Sequence, residues 1–224
     1  MDCVFCASFG YLIGTVNPSY LLGKCKGLDI RSVGSGNAGA SNAVLVMGKA
    51  IGFFCMIFDI LKAFLAYRFA KRMFPMLRFA GILAGVACIL GHIFPVWMHF
   101  SGGKGLACIG GLILAYDGKL FFCLLAVEIL LVLLVDYICV MAISVSAVFP
   151  VIYFIQTWDL VGTTLLLIVT AVMFWKHWEN ISRIREGKEV RVSFLWNRNA
   201  EVERLRDKYP DVDADAYLSP PRKH

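Results

Sequence analysis

Seven apolar stretches divide the 224-residue chain, and no other feature restricts its fold so severely. They cover roughly residues ~4–23, ~43–70, ~79–99, ~105–117, ~120–135, ~137–156 and ~160–176. A hydrocarbon layer of ~30 Å is crossed by ~20 helical residues, a length that most of these runs approach. Inside lipid every backbone N–H and C=O must bond within the protein, which selects helices. Composition agrees. Hydrophobic residues make up 59% of the chain and charged residues 17%, with a mean hydropathy of +0.71. A soluble domain is nearer ~45–50% apolar and ~25% charged. The expectation is an all-α, polytopic membrane protein of about seven transmembrane helices. One transmembrane domain would span 1–190, and a polar tail would follow over 191–224. The N-terminus has neither a basic n-region nor a clear small-residue cleavage site, so it reads as a retained first span. Asn17 and Pro18 fall inside that span, where a proline kinks a helix.

Against this apolar background, Gly34-Ser35-Gly36-Asn37-Ala38-Gly39-Ala40-Ser41-Asn42 stands out. Glycine lets backbone N–H groups turn toward one point, and Ser35, Asn37, Ser41 and Asn42 add small polar groups. Such a run makes either an anion-binding concavity or a flexible turn between helices. A second glycine turn, Ser101-Gly102-Gly103-Lys104-Gly105, has a lysine at its centre. A third polar segment runs from Trp175 to Glu189. There His177 and Asn180 lie three apart and share a helical face, which Arg183 continues. A histidine, an amide and a guanidinium in that register can hold a phosphate, or can simply be a wetted helix end.

The three segments follow the first, third and seventh spans. All are odd, so all lie on one side of the membrane. From Lys176 onward the chain carries eleven of its 22 Lys and Arg residues and nine of its 16 acids. The positive-inside tendency then places the shared side in the cytoplasm, with Lys24, Lys26 and Arg31 in agreement and Lys71, Arg72 and Arg78 against. Asp59 and Lys62 lie three apart inside the second span, either as an ion pair between helices or as functional groups facing a cavity.

Several function classes find no support. No base-reading motif is present, so no nucleic-acid partner is expected. Cys3 and Cys6 form a lone C-x-x-C, and the other six cysteines mostly stand singly in apolar runs. Neither a metal site nor a disulfide framework is expected. Asp59, Lys62, Glu128 and Asp136 near membrane depth allow a transporter of anionic solutes. That alternative predicts polar groups along a path through both leaflets, whereas the motifs gather on one side.

Taken together, the segments resemble those of the bacterial acyl-phosphate:glycerol-3-phosphate acyltransferases. The matching residues are Gly27 to Arg31 with Gly34 to Asn42, Phe58 to Lys62, Gly91 to Pro95 with Gly102 to Gly105, and His177, Asn180, Ile181, Arg183 and Gly187. The resemblance implies an integral enzyme of the bacterial inner membrane with its active site facing the cytoplasm. It implies acyl phosphate and glycerol 3-phosphate as substrates, membrane lipids around it, a soluble enzyme that supplies acyl phosphate, and no cofactor. It further implies that Ser35 and the Gly34–Asn42 loop grip a phosphate, that Lys104 offsets its charge, and that His177 and Asn180 contact substrate. Gly34, Gly36, Asn37, Gly39, Ser41, Asn42, Gly102 and Gly103 join them as substrate-binding positions. His177 is either a general base or a phosphate ligand, and a substrate phosphate is a third candidate for the base. Leu45 stands where the resemblance leads one to expect an arginine, Ser101 where a lysine is usual, Cys139 and Ala142 where serines are usual, and Ala63 where a glycine is usual. Arg31 or Arg183 is the expected substitute for the missing arginine. These departures also allow a diverged relative with an altered acceptor or no activity.

Overall fold

The computed structural model describes residues 1–208, all of it helix and connecting loop. In the tail, Val202, Leu205 and Tyr209 are spaced for a weak amphipathic turn and a loose end is expected around Pro220-Pro221; Tyr209 and Pro220-Pro221 lie outside the described residues. The first apolar run does not merely kink. It breaks into α1 (Asp2–Thr15) and α2 (Pro18–Cys25). Asn17 caps α2, its Oδ1 accepting from the Tyr20 N–H at 2.9 Å, with Pro18 in the first turn. An Asn-Pro pair is a helix start as well as an interruption. The second run also divides. Gly48 adopts φ +94°, which separates α3 (Ala40–Met47) from α4 (Lys49–Met73).

The remaining helices are α5 (Ala80–Ile93), α6 (Leu106–Tyr116), α7 (Gly118–Val135), α8 (Ile138–Thr157), α9 (Leu160–Glu186) and α10 (Arg198–Lys208). Among the described residues, five stretches are long and apolar enough to cross a membrane: α4, α5 with the turn after it (Ala80–Met98), α7, α8 and α9. Two of the seven expected spans are shorter. At ~1.5 Å per residue, α1 is about 21 Å long and α6 about 17 Å. Most of α6 is buried in protein, so it needs no lipid-spanning length. The seventh expected span, ~160–176, is the first part of one helix that continues through Glu186.

Close approaches fix how the helices run. A Cβ on Gly10 or Gly14 of α1 would lie 2.1 Å from the Ala84 or Cys88 carbonyl oxygen of α5. Glycines four apart let the two backbones touch, the small-residue packing of membrane helices. The pairings ascend together, so α1 and α5 are parallel. Tyr67 meets Gly81, and Lys62 meets His92, so α4 runs the other way. Gly85 meets Leu112, and Gly105 lies against Ile89 and Ile93, which makes α6 antiparallel to α5. Tyr153 meets Gly162 and Ser146 meets Thr170 across α8 and α9. The C-terminal ends of α1, α5 and α9 therefore gather with the N-terminal ends of α4, α6 and α8.

Asp59 and Lys62 hold this bundle together from within. They are paired at 2.6 Å and are 1% and 4% exposed. The Lys62 ammonium also donates to the Val16 carbonyl at 2.7 Å and stands 3.0 Å from His92 Nδ1. One cation thus ties α4 to the end of α1 and to α5. Asp59, His92 and Cys108 present ligand atoms within 4.8 Å of one another, and the Lys62 ammonium stands against the first two.

Candidate active site

One cavity of about 990 Å³ opens at the end where these helix termini gather. Ser35, Lys104, His177 and Asn180 all line it, as do Asn37, Gly39 and Ser41. Ser35 and Asn180, 145 positions apart in sequence, therefore share one wall.

The helix ends explain the cavity's electrostatics. α3 starts after Gly39, α4 after Gly48, α6 after Gly105 and α8 after Tyr137, and none has a side-chain cap. The first residues of all four line the cavity. Each such end carries roughly +0.5 charge on N–H groups without intrahelical partners. By contrast, α7 and α9 begin at the other end of the bundle and are capped by Asp117 and Asp159. Four uncapped N-termini around one cavity, with Lys104 in its wall, make a site for anions.

Lys104 is partly buried. Its ammonium donates to Asn180 Oδ1, and the Asn180 amide donates to Glu189 Oε1. Glu189 Oε2 in turn accepts from Arg183 Nε at 2.7 Å. A lysine can only donate and a carboxylate can only accept, so this chain fixes which way the Asn180 amide points. Burial, followed by the nearby Arg183 cation, pushes the Lys104 ammonium down to about 8. His177 is 4% exposed, with Nδ1 2.8 Å from the Met173 carbonyl. A carbonyl only accepts, so Nδ1 carries the proton and Nε2 is left as the reactive nitrogen.

The glycine loop is built around Asn42, which is fully buried. Its amide nitrogen lies 2.9, 3.0 and 2.9 Å from the carbonyls of Ile30, Val33 and Asn37, which share its two N–H groups, and its Oδ1 accepts from the Ser35 N–H at 2.8 Å. Gly34 and Gly36 turn the chain at φ +59° and +70°. Asn42, Gly34 and Gly36 are therefore scaffold and not cavity lining. Asn42→Ala should cost about 1–3 kcal/mol of stability, the scale of a stranded buried polar group. Asn42→Asp should cost no less, because a carboxylate would face three carbonyls. Thermal unfolding in detergent checks both.

Other expected positions are placed elsewhere. The Gly102 and Gly103 N–H groups donate to the Ile93 and His92 carbonyls at 3.1 and 3.0 Å, closing the end of α5. They are not turned to the cavity. Arg31 is held by Asp29 at 2.8 Å and by the Met98 carbonyl, and stacks on Tyr20. Asp29 is thereby held well below the usual carboxylate range. Arg183 is engaged by Glu189. Neither arginine lines the cavity.

Some lining residues carried no motif in the sequence. Lys49 and Arg191 drew no reading in the sequence and Glu189 only closed the third polar segment, yet all three line the cavity. His92, just inside the third span, is expected from its position to pack helices or support the site from behind and not to be catalytic. It is buried against Lys62 and Asp59 and also reaches the cavity. On another side the wall is apolar, formed by Phe53, Met56, Phe121, Leu124 and Ile129. Phe53 and Ile129 are 60% and 46% exposed on the bundle surface, so this side opens toward the lipid.

Comparison with known proteins accords with this geometry. Residues 4–187 match the family model described as "Glycerol-3-phosphate acyltransferase". A glycerol-3-phosphate acyltransferase of Brucella anthropi is 37% identical over 187 residues, covering 82% of this chain and 90% of the relative. One from Lactiplantibacillus plantarum is 32% identical over 209 residues, covering 91% of this chain and 100% of the relative. A crystal structure of PlsY (YgiH), an integral membrane glycerol 3-phosphate acyltransferase in its glycerol 3-phosphate form, superposes with a TM-score of 0.81 at 29% identity. It covers 89% of this chain and 100% of that one. The lysophosphatidic acid form gives 0.76 at 28% identity, covering 85% and 95%.

Proposed function

The chain belongs to the glycerol-3-phosphate acyltransferase family, and from that premise we propose that it transfers a fatty acyl group from acyl phosphate to the 1-hydroxyl of sn-glycerol 3-phosphate. The products are lysophosphatidate and inorganic phosphate. The observation that carries this reading is the convergence of four uncapped helix N-termini and Lys104 on a cavity with one apolar, lipid-facing wall. Phosphates suit the first feature and an acyl chain suits the second.

In the reaction, the acceptor hydroxyl attacks the acyl carbonyl, and the carbon–oxygen bond to phosphate breaks. Charge grows on the tetrahedral oxygen and then on the departing phosphate. Lys104 and the helix ends stabilise that charge in place, which is where preorganised donors act most strongly. The hydroxyl proton goes to His177 Nε2 or to a substrate phosphate. Ser35 and Asn180 position the phosphates. Acyl phosphate is already an activated anhydride, so the chemistry asks for electrostatic help and no cofactor. The acyl chain enters from the bilayer past Phe53 and Ile129, and glycerol phosphate enters from the water side. We place that side in the cytoplasm of a bacterial inner membrane, on the charge of the tail.

The donor is tested directly. Purified protein in detergent is given glycerol 3-phosphate with palmitoyl phosphate or with palmitoyl-CoA. Lysophosphatidate should form from the first at least a hundredfold faster. Equal rates from both donors would overturn the acyl-phosphate assignment.

A further inference from the structure

The segment after α9 is no detached tail. The family match ends at Gly187, yet residues 188–208 are tied across the cavity mouth. Arg204 donates to the Gly187 and Glu189 carbonyls and to Glu201. Glu201 Oε1 also accepts the Arg191 backbone N–H at 2.9 Å. Asp136, in the turn between α7 and α8, accepts from Ser193 N–H and Oγ, both at 2.8 Å. Its carbonyl accepts from the Val192 N–H. The Lys49 ammonium donates to the Leu195 carbonyl. Val202 and Leu205 of α10 pack on Leu45 and Val46 of α3. The backbone at residue 191 is thus clamped from three directions.

The charges around the cavity make this clamping informative. Three acids line it, and each is answered: Asp59 by Lys62, Glu189 by Arg183, and Glu128 by the Ser144 hydroxyl at 2.6 Å. Three cations line it. Lys104 is engaged with Asn180 and Lys49 with the Leu195 carbonyl. Among the described residues, no carboxylate, carbonyl or ring meets the Arg191 guanidinium, although its backbone is fixed. An arginine held at the rim of an anion cavity, with its fork unused, is placed to take a phosphate in two parallel hydrogen bonds.

We propose that Arg191, carried by the folded C-terminal segment, binds the phosphate group of one of the two phosphorylated substrates. This rests on the acyltransferase reading above and adds to the site a residue from beyond the family match. The segment is then part of the site and not a separate domain.

The test measures phosphate release by the full chain in detergent, varying each substrate in turn, for wild type, Arg191→Ala, Arg191→Gln and Arg191→Lys. Lys26→Ala, exposed and off the cavity, is the control. The two neutral variants should raise KM for one substrate at least tenfold with kcat within threefold, and Arg191→Lys should recover part of the loss. A rise confined to glycerol 3-phosphate assigns the arginine to the acceptor, and one confined to palmitoyl phosphate assigns it to the donor. Thermal unfolding of Arg191→Gln within a few degrees of wild type separates binding from folding. Unchanged KM values for both substrates overturn the inference and leave the acyltransferase reading intact. No acceptor-dependent release by wild type removes both.

Discussion

Lys104→Ala lowers acceptor-dependent turnover by about 100- to 1,000-fold, the effect of deleting one preorganised donor worth ~2.7–4 kcal/mol to a transition state. Lys104 is the cavity cation set deepest in the polar wall, and Asn180, Glu189 and Arg183 fix its position. Alanine removes the charge and also strands the Asn180 carbonyl oxygen. The same lysine gives a pH signature. Its ammonium is held down to about 8, so the free enzyme carries the charge below that pH and loses it above. The ratio kcat/KM should therefore fall as pH rises through about 8. In Lys104→Arg the guanidinium stays charged, so whatever activity remains should keep its level across that range. A wild-type profile that is flat to pH 10, or an alanine variant within threefold of wild type, contradicts the role.

Asp59→Ala should destabilise the protein by about 3–5 kcal/mol, because it leaves Lys62 and His92 facing each other in the bundle interior without the carboxylate between them. Breaking a buried pair from one side costs that much, since the remaining charge is uncompensated. The companion experiment removes both charges. Asp59→Leu with Lys62→Met should cost clearly less than Asp59→Ala, because no buried charge is left alone. Thermal or denaturant unfolding in detergent reads both. A loss under 1 kcal/mol in Asp59→Ala would show that the pair does not hold α4 to α1 and α5.

What the sequence disclosed follows from what each signal physically is. Apolar run length reports lipid crossing, so the helical bundle and its up-and-down order were legible. Ser35, Lys104, His177 and Asn180 were legible too as candidates, and they do share a cavity, because polar residues in a greasy chain need a reason to be there. Breaks inside apolar runs were not legible. Gly48 sits among residues equally suited to helix, and only its positive φ reveals that α3 and α4 are separate. The division matters, since it creates the α4 N-terminus, one of the four helix ends at the cavity.

Glycines and arginines beside a motif were equally ambiguous. Gly102 and Gly103 carry N–H groups that can face a ligand or close a helix, and here they close α5. Arg31 and Arg183 looked placed for phosphate, but each has a carboxylate within hydrogen-bonding distance. The polar segment from 191 onward read as tail because its composition suits water. Val202 and Leu205 showed there only as part of a weak amphipathic turn, too little to announce the docking face in which they are buried. Leu45 then has a structural partner of its own: it packs beneath α10, where a charged side chain would lose that contact.

The coupling of phosphate release to the acceptor tests the central claim most directly. Purified protein is mixed with palmitoyl phosphate, with and without glycerol 3-phosphate, and phosphate and lysophosphatidate are measured together. The two products should appear in equal amounts and only when the acceptor is present. Phosphate released at the same rate without acceptor, or with no lysophosphatidate formed, would contradict a cavity built to join the two substrates.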